Sequence, residues 1–273
     1  MTLLVASDLD QTLIYSPAAA ARGPDRPHRV VEVLDGQVIS LMSHRTESGL
    51  RELDTLAVFV PVTTRTRRQY ERLDLPTRPR YAVVASGGGI LVDGKPDLEW
   101  AASVTSRLKG VSSPVAALRE VFDGYRDREW LLRLRDADDV FLVAAVDADL
   151  LHADELAHVR RACDGHGWRA LHQGRKLYVL PHALDKAAAV EHVAERVGSD
   201  SGLPVDLLAA GDTLLDWPML CAAERAWVPA GSELARLARS APNVLRTAEA
   251  GLAAGEEIVT AWLEHAAARA PEG

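Results

Sequence analysis

The stretch Leu3-Leu4-Val5-Ala6-Ser7-Asp8-Leu9-Asp10-Gln11-Thr12 passes from a short apolar, β-prone run straight into two acids. A run of that length without polar alternation suits a strand buried on both faces, as in a parallel sheet. Such a strand delivers the residues that follow it to the carboxyl edge, where open α/β sheets bind their ligands. Asp8 and Asp10, two residues apart as the chain leaves the sheet, can therefore serve one site. Taken alone, the pair also fits a turn that uses Asp side chains as local caps.

The same texture recurs on both sides of the chain's middle. Ala57–Val62 is a second buried strand that ends in Thr63-Thr64-Arg65, and Asp206–Ala210 is a third that ends in Gly211-Asp212-Thr213-Leu214-Leu215-Asp216. Between the first two, 16–29 reads as loop, Val30–Leu34 and Val38–Leu41 alternate around Asp35-Gly36 as a hairpin, and a helix runs from Thr46 to Leu56. Arg67–Leu73 is helical and Tyr81–Ala85 is a strand. From about 86 to 181 the pattern changes. Leu98–Tyr125 is mostly helical, Trp130–Arg135 and Val140–Val146 alternate, Ala153–Gly165 is helical, and Trp168–His172 faces Lys176–Leu180 across Gln173-Gly174-Arg175. That is αββαββ, an antiparallel α+β unit. Helices and strands alternate again from Asp185-Lys186 to a closing helix over Gly255–Ala268. The expected fold is α/β, a Rossmann-like parallel-sheet core over 1–85 and 182–273, with an α+β cap inserted at 86–181.

Composition narrows the function. The 273 residues are 48% apolar and 26% charged, which places the chain among globular proteins and away from disorder. With 39 acids against 31 bases the net charge is −8, so a broad footprint for nucleic acid or for anionic membrane is excluded, and an anion must be held by a local site. No stretch is long and apolar enough for a membrane span, and the first residues lack the basic region of a signal peptide. Cys163 and Cys221 are too few for a disulfide framework and lie in no zinc-like spacing, which fits a cytoplasmic setting. Lysine occurs only at Lys95, Lys109, Lys176 and Lys186, so each draws notice. Gly89 to Gly94-Lys95 has a phosphate-loop spacing, but the residues between are strand-like and Pro96 replaces the Ser or Thr. A hinge at Ser86-Gly87-Gly88-Gly89 is the better reading.

In order, then, the chain carries a strand with Asp8-x-Asp10-x-Thr12, a strand with Thr63, a lysine at 186, and a strand with Gly211-Asp212-x-x-x-Asp216. That ordered set resembles the haloacid dehalogenase (HAD) superfamily of aspartate-nucleophile phosphohydrolases. The resemblance implies that Asp8 is the nucleophile and forms an aspartyl-phosphate, with its second oxygen on Mg²⁺. Asp10 would protonate the leaving oxygen and then deprotonate water, which requires a proton at working pH. The Asp10 carbonyl and the Asp212 carboxylate would complete the metal shell, with Asp216 supporting the metal or Lys186. Thr63 would hydrogen-bond the phosphoryl oxygens and Lys186 would neutralise them. The chemistry calls for such a set. A carboxylate approaching a phosphate dianion meets roughly 4 kcal/mol of repulsion per charge pair at ~4 Å and an effective dielectric near 20, and a cation held by oxygens removes it.

The bland readings stand beside these. Thr63 suits an N-cap for the next helix, Lys186 an exposed helix residue, and Asp216 before Trp217-Pro218 an N-cap with proline in the first turn. Three positions depart from the family pattern: Gln11 and Thr64 stand where glycine is usual, and Leu215 where asparagine is common. The insertion is similar to the α/β cap of the sucrose-phosphatase-like and Cof-type sugar-phosphate phosphatases, a likeness carried by Gly174–Pro181 and Asp185–Ala188. It makes Thr64, Arg65, Arg133, Arg135, His172, Arg175 and Lys176 candidate substrate contacts. The expectation is a Mg²⁺-dependent phosphatase of a small phosphorylated metabolite, with a sugar phosphate foremost. A hexose-phosphate mutase and a non-hydrolytic phosphometabolite-binding protein are the alternatives.

Overall fold

The computed structural model describes residues 1–269; the last four residues of the segment 182–273 lie outside the described residues. The chain opens with β1 (Thr2–Ser7), a helical turn α1 (Pro17–Ala20), the hairpin β2 (His28–Leu34) and β3 (Gln37–Ser43), α2 (His44–Leu53), β4 (Val58–Pro61), α3 (Arg67–Tyr70), and three strands in succession, β5 (Tyr81–Val84), β6 (Gly89–Val92) and β7 (Lys95–Pro96). The middle comprises α4 (Leu98–Leu108), α5 (Val115–Asp123), β8 (Leu131–Ala137), β9 (Phe141–Val146), α6 (Ala153–Asp164), β10 (Trp168–Gln173) and β11 (Lys176–Pro181). The chain then runs through α7 (Lys186–Ser201), β12 (Val205–Ala210), α8 (Trp217–Ala222), β13 (Arg225–Val228), α9 (Glu233–Arg236), β14 (Val244–Arg246) and α10 (Leu252–Ala268). Among the described residues, no helix is long and apolar enough to cross a membrane.

β1 lies inside a five-stranded parallel sheet of order β14-β13-β12-β1-β4, in register with β12 from Thr2↔Val205 to Ser7↔Ala210. Both faces are covered. Leu4, Ala6 and Val60 pack with Val190 and Val193 of α7, while Val5, Phe59 and Leu208 pack with Leu50 of α2 and with Ile258 and Trp262 of α10. This two-sided burial is why the strand reads as a continuous apolar run. Removing one such anchor, as in Trp262→Ala, is expected to cost about 3–5 kcal/mol.

The middle unit is an antiparallel sheet, β10-β11-β9-β8, with α5 and α6 on one face. The expected αββαββ order holds with one change. The helical stretch 98–125 is broken into α4 and α5, because Gly110 takes a left-handed φ of 84° and Pro114 precedes the second helix. The segment just after 86 does not join this sheet: β6 pairs with β5, and β5 touches the core sheet through a parallel bridge, Val62↔Val83. Two crossings link the units, at Ala85–Gly89 and at His182–Asp185. They run so close that a Cβ on Gly87 would overlap the Asp185 carbonyl. Asp138, in the β8–β9 turn, accepts a hydrogen bond from the Arg67 amide at 2.9 Å and ties the two units together at that point.

The hairpin β2–β3 has register shifts on either side of Glu32. Such an irregularity re-aims side chains, and here it buries the Glu32 carboxylate while Val33 is exposed.

Candidate active site

The strand ends gather as the sequence implied. β1 and β12 are paired to their last residues, so Asp8 and Asp212 emerge side by side. β4 lies on the other side of β1, and the Ser7 carbonyl accepts from the Val62 amide at 2.7 Å, which brings Thr63 to the same edge. Lys186, the first residue of α7, is 2% exposed. Its Nζ donates to Asp8 Oδ1 at 2.7 Å and to Asp216 Oδ1 at 2.6 Å. An exposed helix lysine is therefore not what this residue is.

Asp216 uses its other oxygen to hold the loop that carries Asp212. Oδ2 accepts from the Asp212 amide at 3.1 Å, the Thr213 amide at 2.9 Å and the Thr213 hydroxyl at 2.9 Å. The fold-back requires Gly211, since a Cβ there would overlap the Asp216 side chain. Both Asp216 oxygens are thus engaged, which suits a supporting position rather than direct ligation. Asp8 and Asp212 keep free oxygen valences, and ligand atoms of Asp8, Asp212 and Asp216 lie within 4.8 Å of one another. The charge balance points the same way. Burial, with Asp216 and Asp10 near and against the pull of Lys186, pushes the Asp8 carboxyl up to about 7. Burial together with Asp8 and Asp216 raises the Asp212 carboxyl well above the usual carboxylate range. Three buried carboxylates share one ammonium, a surplus that a hard, oxygen-seeking cation such as Mg²⁺ would cancel.

Asp10 is placed differently. Its carboxylate receives a two-pronged grip from Arg65, with Nε to Oδ2 at 2.7 Å and a terminal nitrogen to Oδ1 at 2.8 Å. The other terminal nitrogen of Arg65 donates to Glu32 Oε2 at 2.7 Å, and Arg72 takes Glu32 Oε1 at 2.9 Å. Burial raises the Asp10 pKa, but the Arg65 hydrogen bonds and charge outweigh it and hold the group below its ordinary value. The two-pronged grip of Arg65 favours the carboxylate form of Asp10 in this arrangement over the protonated form a general acid needs.

Thr63 is fully buried and its hydroxyl oxygen accepts from the Arg65 amide at 3.1 Å, which leaves its proton free to donate. It is not the helix cap. Thr66 caps α3, in a reciprocal pair with Gln69. Thr64 is half-buried next to it. Gln11 takes a left-handed φ of 64°, where glycine would be unstrained, and its amide nitrogen reaches Asp212 Oδ2 at 3.4 Å. Leu215 turns away from the site and packs in the core with Met219, so the position where relatives carry asparagine contributes nothing polar.

Of the inserted-unit candidates, Lys176 lies opposite Gln173, whose side chain reaches Glu233 of the core. Its charge helps to lower the Asp10 pKa, and its own pKa is raised, first by Tyr178 and also by Asp10. Arg133 and Arg135 share its sheet face but stand on the far strand, β8. Arg175 is exposed in the β10–β11 turn. His172 is not brought in. It pairs with Leu177, which is fully buried on the helix-covered face, so the imidazole points away from the core. Sequence reasoning missed Glu32, Gln173 and Glu233. Glu233 Oε2 accepts from Gln173 Nε2 at 3.0 Å and from the Leu214 amide at 3.2 Å, joining the β10–β11 turn to the Asp212–Asp216 loop. Nothing in the local sequence marks these residues, since their role depends on contacts between distant segments.

No family model matches the sequence, and no curated protein is detectably similar to it. Solved structures are similar in fold. The sucrose-phosphatase of Synechocystis sp. PCC6803, solved with sucrose and phosphate, superposes with a TM-score of 0.58 at 13% identity over 96% of this chain and 97% of that one. The trehalose-6-phosphate phosphatase of Aspergillus fumigatus gives 0.54 at 14% identity over 96% and 93%. A phosphatase of the HAD superfamily from Bacteroides thetaiotaomicron gives 0.57 at 14% identity over 98% and 96%. The chain has the α/β fold of the HAD superfamily phosphatases.

Proposed function

We propose that the protein is a Mg²⁺-dependent phosphatase of a small phosphorylated metabolite, with Asp8 as nucleophile. The observation that carries this reading is Lys186 bridging Asp8 and Asp216 at the shared edge of β1 and β12, with Asp212 beside them. A lysine salt bridge alone could be structural. Three carboxylates around one lysine, in an order that resembles the HAD motifs, favour a site built for a cation and a phosphoryl group. The superposable sucrose and trehalose-6-phosphate phosphatases favour a sugar phosphate as substrate.

In this reading Asp8 and Asp212, with the Asp10 carbonyl, hold the metal, which supplies charge neutralisation of the ester when bound. Lys186 orients Asp8 and draws the phosphoryl oxygens in, and the Thr63 hydroxyl donates to them. Asp8 Oδ attacks phosphorus, the ester oxygen leaves, and the aspartyl-phosphate is then hydrolysed. Asp10, ionised against Arg65, is ready to take the proton of the attacking water. To act first as an acid it must exchange Arg65 for a proton, and a dianionic ester entering beside Arg65 competes for that guanidinium. Division into a core of 1–85 and 182–273 and a cap of 86–181 belongs to the same proposal, with the pairing of β6 on β5 moving the working boundary toward Asp97. The free thiols Cys163 and Cys221 suit a reducing, cytoplasmic setting.

The test is phosphate release from a panel of phosphomonoesters with and without Mg²⁺. Metal-dependent release that Asp8→Ala abolishes supports the assignment, and release that survives Asp8→Ala sinks it. The non-hydrolytic alternative draws on Gln11 at Asp212. It is selected by tight phosphometabolite binding without turnover in any divalent metal.

A further inference from the structure

The face of the β10-β11-β9-β8 sheet that looks toward the core carries cations and no acid. Paired residues in an antiparallel sheet point to the same side. The register therefore sets Arg133, Ala145, Lys176 and Gln173 in one row, and Arg135, Val143, Tyr178 and Leu171 in the next. One contact shows which way these rows look: Gln173 Nε2 donates to Glu233 Oε2 of the core at 3.0 Å. Leu134 and Asp136 occupy the opposite face, where Asp136 pairs with Arg119 of α5. Asp136 is also the single acid on these four strands.

Arg133, Arg135 and Lys176 are exposed, and among the described residues none of the three forms an ion pair. At about 4.8 Å between strands, the row places the Arg133 backbone roughly 10 Å from that of Lys176. Ala145 and Val143 lie between them, so small side chains floor the interval. The phosphoryl group is provided for elsewhere, by Lys186 and Thr63. Three cations on the sheet face that also carries Gln173 are more than a neutral sugar needs. A carboxylate laid along this trough would find charge-assisted hydrogen bonds from arginine, whose fork matches its geometry. With a net charge of −8, the protein's overall field does not favour an extra anion, so any such preference must come from this face.

We infer that the substrate's leaving group carries a second anionic group, a carboxylate foremost, that docks on Arg133, Arg135 and Lys176. The inference rests on the reading of Asp8 as the phosphoryl centre. Its test compares 6-phosphogluconate with glucitol 6-phosphate, open-chain compounds that differ only in a carboxylate in place of a hydroxymethyl group at C1. Dissociation constants are measured by calorimetry on the full-length Asp8→Asn chain with Mg²⁺, and kcat/KM ratios on the wild type. We expect at least a tenfold preference for 6-phosphogluconate. It should fall below threefold in the double variant Arg133→Ala, Arg135→Ala and stay unchanged in Arg161→Ala, an exposed arginine of α6 in the inserted unit. Equal affinities, failure to bind either compound, or a preference that the double variant keeps would overturn the inference. If Asp8→Asn does not fold, the wild-type ratios decide by the same thresholds. Preference without hydrolysis would remove the phosphatase reading and leave the anion site standing; hydrolysis without preference would do the reverse.

Discussion

Two clusters of charge flank the end of β1, one buried and one partly open to solvent, and they are balanced differently. On one side Lys186 stands between Asp8 and Asp216 with Asp212 beside them, three carboxylates to one ammonium. On the other side Arg65 stands between Asp10 and Glu32, and Arg72 takes the remaining Glu32 oxygen, two carboxylates to two guanidiniums. The first cluster is short of positive charge and the second is complete. In the proposed reading the cation would sit with Asp8 and Asp212, while the arginine cluster ties Asp10 to Glu32 of the β2–β3 hairpin.

The largest expected contrast is in turnover. Asp8→Asn should lower phosphate release by about 10³-fold or more, whereas Glu32→Gln, which reaches Asp10 only by way of Arg65, should leave readily measured activity in the same assay. Next comes stability without metal. Lys186→Met strands buried carboxylates and should cost about 3–5 kcal/mol in urea unfolding. Arg65→Met should cost about 1–3 kcal/mol, because Glu32 keeps Arg72 and the Asp10 side chain is 46% exposed. Mg²⁺ separates the clusters further. At a hundred times its Kd it should stabilise the wild type by about 2.7 kcal/mol, an increment that thermal melts should find lost in Asp212→Asn and kept in Arg65→Met.

The pH dependence of metal-free stability should have opposite signs at the two sites. Burial raises the Asp8 pKa from 3.8 to about 7 in the folded chain, so its contribution is complete below about pH 4 and is lost as pH rises toward 7. The Asp10 pKa is lowered below 3.8 by Arg65, against the effect of burial, so its contribution is present above that value and is lost as pH falls. Urea midpoints in chelator should show the loss between pH 4 and 7 flattened in Asp8→Asn, and the acid limb flattened in Arg65→Met. The smallest effect is at Gln11. Its left-handed backbone costs about 1–2 kcal/mol, but Gln11→Gly gives back unfolded-state entropy and the contact to Asp212, so the net change in unfolding free energy should stay within about 1 kcal/mol.

The lysine cluster was legible in the sequence because each member follows a strand or opens a helix, and strand ends in a parallel sheet meet at one edge. Asp8, Thr63, Lys186, Asp212 and Asp216 stood out through the resemblance of their ordered motifs to the HAD set; alone, Thr63 and Asp216 also read as helix caps and Lys186 as a surface residue. The arginine cluster was legible in half. Arg65 and Asp10 were singled out, but their pairing was not, and Glu32 looked like one more polar position in an alternating hairpin until the register shift turned it inward. The direction of the cap side chains depends on strand parity. It placed Lys176 over the core and His172 on the other face, and no reading of the chain without the register Leu171↔Tyr178 and His172↔Leu177 could separate them. The break between α4 and α5 was marked by Gly110 and Pro114 and could have been read from those residues.

In the proposed reaction Asp8 carries the phosphoryl group. Rapid acid quenching of the protein with ³²P-labelled substrate and Mg²⁺, followed by mass spectrometry of the peptides, reads that directly. A metal-dependent, hydroxylamine-labile phosphate on Asp8, absent in Asp8→Asn, is the expected result. Phosphate release at an undiminished rate in Asp8→Asn, with no label on the Asp8 peptide of the wild type, would contradict it.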